Sequence, residues 1–171
     1  MASTEQAASN SDLSTANEAI AGQYLTFMLS GEEYGVEILR VQEIKGWKTA
    51  TIIPNVPDYI LGVINLRGEI VPVMDLRRRF GLEPSTYGPT TVVIVVRVTK
   101  ADRTQTIGLM VDAVSEVYRV EGTQIQPSPD FGGSISAEFV KGLATVGDKM
   151  LILLEIDKLA NFELLEHSVT E

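Results

Sequence analysis

The chain carries the same pattern of glycine and aliphatic residues twice, in the same order. Residues 34–44 align with residues 107–117 at an offset of 73 (107 − 34), which places Gly35 on Gly108. Residues 60–75 recur 80 positions later (140 − 60), so the second copy contains a loop that is seven residues longer (80 − 73). A duplicated small unit forms a surface and a groove between its copies more naturally than it forms a reaction centre. The repeat therefore favours a binding protein.

Alternating apolar residues and tight-turn signals predict short strands in both copies. Residues 33–38 alternate after the turn signal Ser30-Gly31, as expected when side chains alternate between the two faces of a strand. Arg67-Gly68, between two apolar runs, predicts a second tight hairpin. These signals predict an all-β fold of two tandem small barrels with short helical pieces. Because one such unit would be only marginally stable alone, we expect the barrels to share a core.

The distribution of polar residues predicts the boundaries of the folded part. Residues 1–21 contain hardly any large apolar side chain, so we expect a disordered tail that cannot offset its ordering entropy. The folded domain is predicted to span 22–166, with a first half at 22–86 and a second at 90–166. Residues 167–171 are predicted to form a polar tail.

Local signals also predict two short helices and one unusual strand. Asp75 and Asp157 are each expected to cap a short helix. Pro72 cannot donate a hydrogen bond within a sheet, so its strand is predicted to lie at an edge or to carry a bulge. The arginine run 77–79 is interpreted as the solvated surface of a short helix.

Composition excludes several classes of protein. The chain has 171 residues, no cysteine and a net charge of −9, so it has no disulfides or thiolate metal sites, and a nucleic-acid partner is not expected. The longest apolar run, 92–96, is far short of the ~20 residues that a membrane-spanning helix needs. It predicts instead a strand that is buried on both faces. With no secretory signal at the N-terminus, we expect a cytoplasmic protein without direct membrane insertion.

The sequence offers little that could support catalysis. His167, the only histidine, lies in the predicted C-terminal tail, and no phosphate-binding glycine motif is present. Carboxylates are plentiful but form no recognised metal or acid–base spacing: Glu43, Asp75, Asp112, Glu116 and Asp157. We therefore predict no enzymatic activity, no cofactor and no metal site. Two alternatives stay open, a generic β-barrel ligand-binding module and a carboxylate- or metal-dependent enzyme.

Four residues are candidates for contact with a partner protein. Arg67, at a predicted hairpin tip, can bind a partner carboxylate through two parallel hydrogen bonds, or can be a merely soluble turn residue. Val41 and Ile44 either belong to the core or face a partner, and their aliphatic counterparts in the second copy favour the core. Phe131, in a loop rich in proline and glycine, is either an exposed anchor or tucked into the protein.

Four segments resemble the CheW-type bacterial chemotaxis adaptor family: 33–44, 62–68, 70–77 and 142–153. The resemblance extends from about residue 23 to residue 165, and its most specific part is the Asn-Leu-Arg-Gly block that is followed by Ile-Val-Pro-Val. It implies two five-stranded barrels of SH3-like or OB-like topology, in which the first strand can complete the other barrel. It also implies a protein without enzymatic activity.

Membership of this family would define both the partners and the contact residues. The family links the cytoplasmic tips of transmembrane chemoreceptors to a histidine kinase whose regulatory domain has the same fold, in clusters at the inner membrane, and other CheW-like modules can join the array. The resemblance implies a receptor-binding groove at Val41, Arg67 and Val93. It implies a kinase-binding surface at Glu43 and Ile44, and an array contact at Phe131.

Overall fold

The computed structural model describes residues 22–83, 86–127 and 137–160. The predicted tails 1–21 and 167–171, together with Phe131 and His167, lie outside these ranges. The strands in the described part of the chain are β1 (Gln23–Leu29), β2 (Glu32–Glu37), β3 (Val41–Gly46), β4 (Ile60–Leu66), β5 (Glu69–Asp75), β6 (Val92–Lys100), β7 (Arg103–Val111), β8 (Ala113–Arg119), β9 (Ile125–Gln126), β10 (Val140–Val146) and β11 (Lys149–Leu154). The helices there are α1 (Leu76–Arg79) and α2 (Ile156–Leu159), with 3₁₀ turns at Ile38–Arg40, Gly122–Gln124 and Ala137–Phe139.

The strands form two curled sheets, which confirms the predicted all-β class. The six-stranded sheet has the order β8-β1-β2-β11-β10-β9, and the five-stranded sheet has the order β3-β6-β7-β5-β4. The five-stranded sheet curls until Thr51, which follows β3, exchanges two backbone hydrogen bonds of 2.9 Å with Val63 of β4. In the other sheet, Lys149 reaches from the β10–β11 hairpin to the Tyr118 hydroxyl, 3.2 Å away. No helix among the described residues is long and apolar enough to cross a membrane.

Each sheet contains a hairpin from the other copy of the repeat. The β1–β2 hairpin pairs with β8 and β11, while the β6–β7 hairpin pairs with β3 and β5. The division of the chain into sheets therefore differs from the predicted halves 22–86 and 90–166. Each copy contributes a whole hairpin to the opposite sheet, rather than its first strand alone. The evidence is that β2 pairs in parallel with β11, and β7 pairs in parallel with β5.

The two sheets share one hydrophobic core, as predicted. Phe27 and Tyr34 of the six-stranded sheet stack with centroids 6.0 Å apart, and Phe80, after α1, continues the stack at 5.8 Å. Strand β6 contributes Ile94 to this shared core and Val93 to a separate cluster inside the five-stranded sheet. The strand is thus buried on both faces, as its uninterrupted apolar sequence predicts.

The duplicated glycines Gly62 and Gly142 occupy places where a side chain would not fit. Each lies at a register shift between a hairpin's strands. A Cβ atom at Gly62 would lie 2.2 Å from the carbonyl oxygen of Thr51, and a Cβ at Gly142 would lie 2.6 Å from Cγ2 of Ile125. Gly62 also has a φ of +147°, which L-residues rarely adopt. Close backbone approach therefore accounts for this part of the repeat.

Strand β5, which contains Pro72, is not at an edge of its sheet. It lies between β4 and β7. Its parallel pairing with β7 begins at Val73, one residue after the proline, so the missing N–H removes no bond from that ladder. The predicted edge position is therefore wrong, and the nearby bulge lies in the partner strand β4.

The two predicted helix caps have different outcomes. Asp75 caps α1, since its carboxylate accepts a hydrogen bond of 3.0 Å from the backbone N–H of Arg77. Asp157 does not cap α2, which is preceded by Glu155. The Asp157 carboxylate instead accepts two hydrogen bonds of 3.0 Å from the guanidinium of Arg40. This ion pair joins the two copies of the repeat.

Candidate functional site

An open gap separates β3 from β4 on the five-stranded sheet. It encloses about 660 Å³ between the backbone of residues 44–51 on one side and residues 63–65 of β4 on the other. Val93 of β6 lies at its floor. The Thr51–Val63 backbone pair closes one end, where the two segments run antiparallel.

The β4–β5 hairpin closes the other end of this gap. Its two turn residues, Arg67 and Gly68, both have positive φ angles of 54° and 86°, as a type I′ turn requires. The Asn65 side chain accepts a hydrogen bond of 2.9 Å from the backbone N–H of Gly68, which fixes the turn. The predicted tight hairpin is therefore confirmed, and Arg67 stands at its tip with 83% of its side chain exposed.

The structure joins two residues that the resemblance assigns to different partners. Nη2 of Arg67 lies 2.9 Å from Oε2 of Glu43 in β3. The side chain of Glu43 is 21% exposed and that of Arg67 is 83% exposed, so the carboxylate is the more enclosed partner of the pair. Because the arginine is so exposed, solvent screens the attraction and the pair adds little to folding stability.

Ile44 and Val93 lie together at the gap, but Val41 lies elsewhere. Ile44 is 44% exposed, so the interpretation of this residue as core is wrong. Val93 is only 2% exposed and belongs to the cluster inside the five-stranded sheet. Val41 packs against the core that the two sheets share, on the other side of β6.

The repeat places exposed apolar residues at equivalent positions of both sheets. Val117, the counterpart of Ile44, is 48% exposed in β8. Ile70 in β5 and its counterpart Met150 in β11 are exposed as well. Sequence reasoning missed this second surface because it took aliphatic matches within the repeat as a sign of burial. Exposure of large apolar side chains at matched sites favours protein docking instead.

Arg77 and Arg79 of the run 77–79 do not lie on a solvated helix surface, contrary to the sequence prediction, whereas Arg78 is exposed as predicted. Arg77 forms a fork with Asp112, with hydrogen bonds of 2.7 Å from Nε and 2.6 Å from Nη2. The backbone N–H of Ser30 donates a further bond of 3.0 Å to Asp112. Burial opposes ionisation of Asp112, but the bonds from Arg77 and Ser30 prevail, so the pKa of this carboxyl is lowered.

The other two arginines of the run also have structural contacts. The Arg79 guanidinium lies between the rings of Tyr59 and Phe139, 4.5 Å and 4.4 Å from their centroids. Arg78 approaches the buried carboxylate of Asp75 at 3.5 Å. Because α1 is a single turn, its consecutive side chains point in three directions, and a charge run in the sequence does not reveal this.

Several carboxylates of the described residues take part in ion pairs. Glu43 pairs with Arg67, Asp112 with Arg77 and Asp157 with Arg40. No group of three or more histidine, cysteine, aspartate or glutamate side chains that could hold a metal ion occurs within 22–83, 86–127 and 137–160. What this region presents is a gap between strands, an exposed cation at its end and exposed apolar side chains. These are features of a docking surface.

Comparison with known proteins gives one consistent result. The family model described as "CheW-like domain" matches residues 23–163. The chain is similar to the "Chemotaxis protein CheW" of Klebsiella aerogenes, with 43% identity over 148 residues, covering 86% of this chain and 87% of that protein. It is 37% identical over 137 residues to the "Probable chemotaxis protein CheW" of Rhizobium etli, covering 80% and 86%. The crystal structure of the scaffolding protein TtCheW from Thermoanaerobacter tengcongensis superposes with a TM-score of 0.75 and 36% identity, covering 82% of this chain and 93% of that one.

Proposed function

The chain belongs to the CheW-like family, and we propose that it is a non-catalytic chemotaxis adaptor that couples transmembrane chemoreceptors to the chemotaxis histidine kinase. The observation that carries the proposal is the exposed surface of the five-stranded sheet, where the Arg67 side chain is 83% exposed at the β4–β5 turn and Ile44 is 44% exposed in β3. A protein that holds two partners together needs two contact points on one rigid body. In this proposal the chain is cytoplasmic and is recruited to receptor clusters at the inner membrane.

Recovery of partners from a bacterial lysate tests the adaptor function directly. The wild-type chain, immobilised as bait, is expected to capture both a chemoreceptor and a histidine kinase. A doubly substituted bait, Arg67→Ala with Ile44→Asp, is expected to lose both. Capture of neither protein by the wild type, under conditions in which a known coupling protein captures both, would contradict the proposal.

We assign the receptor contact to Arg67, Val41 and Val93. An exposed arginine on a tight turn loses little conformational freedom when it binds a receptor carboxylate, and its planar fork matches that group. A receptor carboxylate would compete with Glu43 for this guanidinium, since the two lie 2.9 Å apart in the free protein. Val93, almost wholly buried, would shape the floor beneath the contact, and Val41 would support it from the shared core.

Replacement of Arg67 tests the receptor contact. Arg67→Ala is expected to weaken binding of a receptor signalling fragment by ~1–3 kcal/mol, and Arg67→Lys by less, because an ammonium cannot form the fork. Folding stability should change by less than about 1 kcal/mol, as for an exposed ion pair. Arg119→Ala, which breaks the exposed pair with Glu121, is the matched control and should bind normally. Unchanged affinity of Arg67→Ala would remove this residue from the contact.

We assign the kinase contact to Glu43 and Ile44, an apolar side chain beside a charged rim. Because Ile44 is exposed, Ile44→Asp should fold normally, and we expect it to weaken binding of the kinase regulatory domain by tenfold or more, roughly the effect of disrupting one interface anchor. Val117→Asp makes the same change at the equivalent, equally exposed position of the other sheet. The proposal requires Ile44→Asp to bind the kinase regulatory domain more weakly than Val117→Asp does. Equal kinase affinity of the two variants would contradict it.

The array contact at Phe131 stays a prediction, since this residue lies outside the described part of the chain. We propose that it pairs with other CheW-like modules. Phe131→Ser is expected to leave binary binding to receptor and kinase unchanged while reducing assembly of receptor, kinase and adaptor into large complexes in sedimentation. Normal assembly of this variant would contradict the assignment.

A further inference from the structure

The gap between β3 and β4 leaves two strand edges without a neighbouring strand. β3 pairs only with β6, and β4 pairs only with β5, within the sheet order of the described residues. After the end of β3 at Gly46, residues 47–50 line the gap before Thr51 pairs with Val63 of β4. Backbone N–H and C=O groups along such edges are open to pairing with another chain.

The dimensions of the gap suit a short extended segment. From Val63 to Arg67, the span of β4 between the two closed ends covers four residue steps, or about 13 Å at the rise of a strand. The enclosed volume of about 660 Å³ is in the range of ordinary ligand sites. A strand of roughly four residues would therefore fit in the gap along one of its free edges.

The charge around the gap favours an acidic occupant. Lys45 and Lys48 line it, and neither forms an ion pair with a described residue, while none of the described lining residues is a carboxylate. Two unpaired cations stand out on a chain whose net charge is −9. The apolar part of the lining comes from Ile44, Trp47, Ala50, Val63, Ile64 and Val93. An occupant that alternates carboxylate and aliphatic side chains would match both features, since a strand directs alternate residues to opposite sides.

We propose that this gap binds an extended segment of a partner protein, alternately acidic and aliphatic, which adds as a strand to the free edge of β3. Main-chain hydrogen bonds would supply the affinity, and the two lysines would select acidic sequences. This inference goes beyond the adaptor function, because it rests on the free edge of β3 and on Lys45 and Lys48, which neither the receptor contact at Arg67 nor the kinase contact at Glu43 uses; Ile44 and Val93 line the gap as well.

A synthetic peptide, acetyl-Val-Glu-Val-Glu-Val-amide, tests the proposal. Trp47, the only tryptophan of the chain, lines the gap, so its fluorescence should change saturably on titration with the peptide. The double variant Lys45→Glu, Lys48→Glu should bind about tenfold more weakly or worse, the effect of reversing two rim charges. The matched control, Arg103→Glu with Lys158→Glu, changes the net charge equally at exposed positions away from the gap and should bind within twofold of wild type.

Backbone pairing has its own readout. Peptides that carry N-methyl groups on alternate residues cannot donate from one edge, so one of the two methylation registers should abolish binding while the other is tolerated. Amide hydrogen exchange in residues 44–50 should slow in the complex. The proposal is overturned by an absence of saturation, by equal binding of both methylated registers, or by equal loss in the control double variant. Protection of these amides that rises with protein concentration without peptide would identify a second copy of the chain as the occupant, and would also overturn it.

Discussion

Asp112 lies where the chain passes from the five-stranded to the six-stranded sheet. We expect removal of its side chain to lower the free energy of unfolding. It lies between β7 and β8, receives the fork from Arg77 after β5 and accepts the backbone N–H of Ser30 from the β1–β2 turn. Its own backbone N–H donates to the carbonyl of Met28. The carboxylate thus ties Arg77 and the β1–β2 turn to the junction of the two sheets, and Asp112→Ala would remove both of these links while keeping the backbone bond to Met28.

The expected magnitude follows from the burial of the pair. The side chains of Arg77 and Asp112 are 18% and 30% exposed, between a surface pair and a buried one. Exposed pairs contribute about 0–1 kcal/mol, and breaking a buried pair costs about 3–5 kcal/mol. We therefore expect Asp112→Ala to lower the free energy of unfolding by about 2–3 kcal/mol at pH 7. At a typical urea dependence, this shifts the unfolding midpoint down by about 1 M.

The effect should depend on pH in a defined direction. The folded-state pKa of Asp112 is lowered from its usual 3.8, so the ionised form is favoured by folding. Such a group stabilises the protein above its unfolded-state pKa, and the stabilisation is lost as the pH falls through the folded-state pKa. The difference between wild type and Asp112→Ala should be complete at pH 7 and should narrow below about pH 4.

Urea unfolding at several pH values measures both the stability lost in Asp112→Ala and the dependence of that loss on pH. Arg119→Ala is the control for an exposed ion pair. The control should lie within about 0.5 kcal/mol of wild type. A double-mutant cycle with Arg77→Ala should show that the two residues are coupled. If Asp112→Ala unfolds within 0.5 kcal/mol of wild type (about the scatter of a neutral surface substitution), or if the difference does not narrow in acid, the reasoning fails.

Two further predictions concern stability and use the same urea assay. Gly62→Ala should cost about 2–4 kcal/mol, because the new Cβ would meet backbone at 2.2 Å in a strained conformation. Gly68→Ala, with a positive φ but open space around it, should cost only about 1 kcal/mol. Arg79→Ala should cost about 1–3 kcal/mol, because Tyr59 and Phe139 both lose the cation that lies between their rings. If Gly62→Ala lowers the free energy of unfolding no more than Gly68→Ala does, the explanation from the close backbone contact is wrong. If Arg79→Ala leaves the free energy of unfolding unchanged, the explanation from the cation between two rings is wrong.

The strands and turns could be predicted because their signals are local. The hairpin at Arg67-Gly68 and the cap at Asp75 each depend on a few adjacent residues, and both are confirmed. The exchange of hairpins could not be predicted from the same signals. Pairing of β2 with β11 joins residues more than a hundred positions apart. The local sequence of either strand does not predict which strand it pairs with.

The candidate site was predicted only in part, for a related reason. The position of Arg67 at a hairpin tip could be predicted because the turn depends on adjacent residues. Its ion pair with Glu43 could not, because the two residues meet only when the whole sheet curls. The exposure of Ile44 was missed because an aliphatic match within the repeat was taken as a sign of burial. Val41 and Ile44 are three positions apart in β3, so the alternation of side chains places them on opposite faces and they do not share an environment.

The exchanged hairpins explain how a duplicated chain can act as one rigid body. Had each copy closed on itself, two small barrels would have been joined by a linker, and contacts on one would have been free to move relative to the other. Because each sheet contains strands of both copies, and β6 has one face in the shared core and the other beneath the gap, displacement of one sheet would disrupt the packing of the other. Two partners that dock at different points of this single body would therefore be held in a fixed relative orientation, which is what an adaptor without catalytic activity can contribute to a signalling complex.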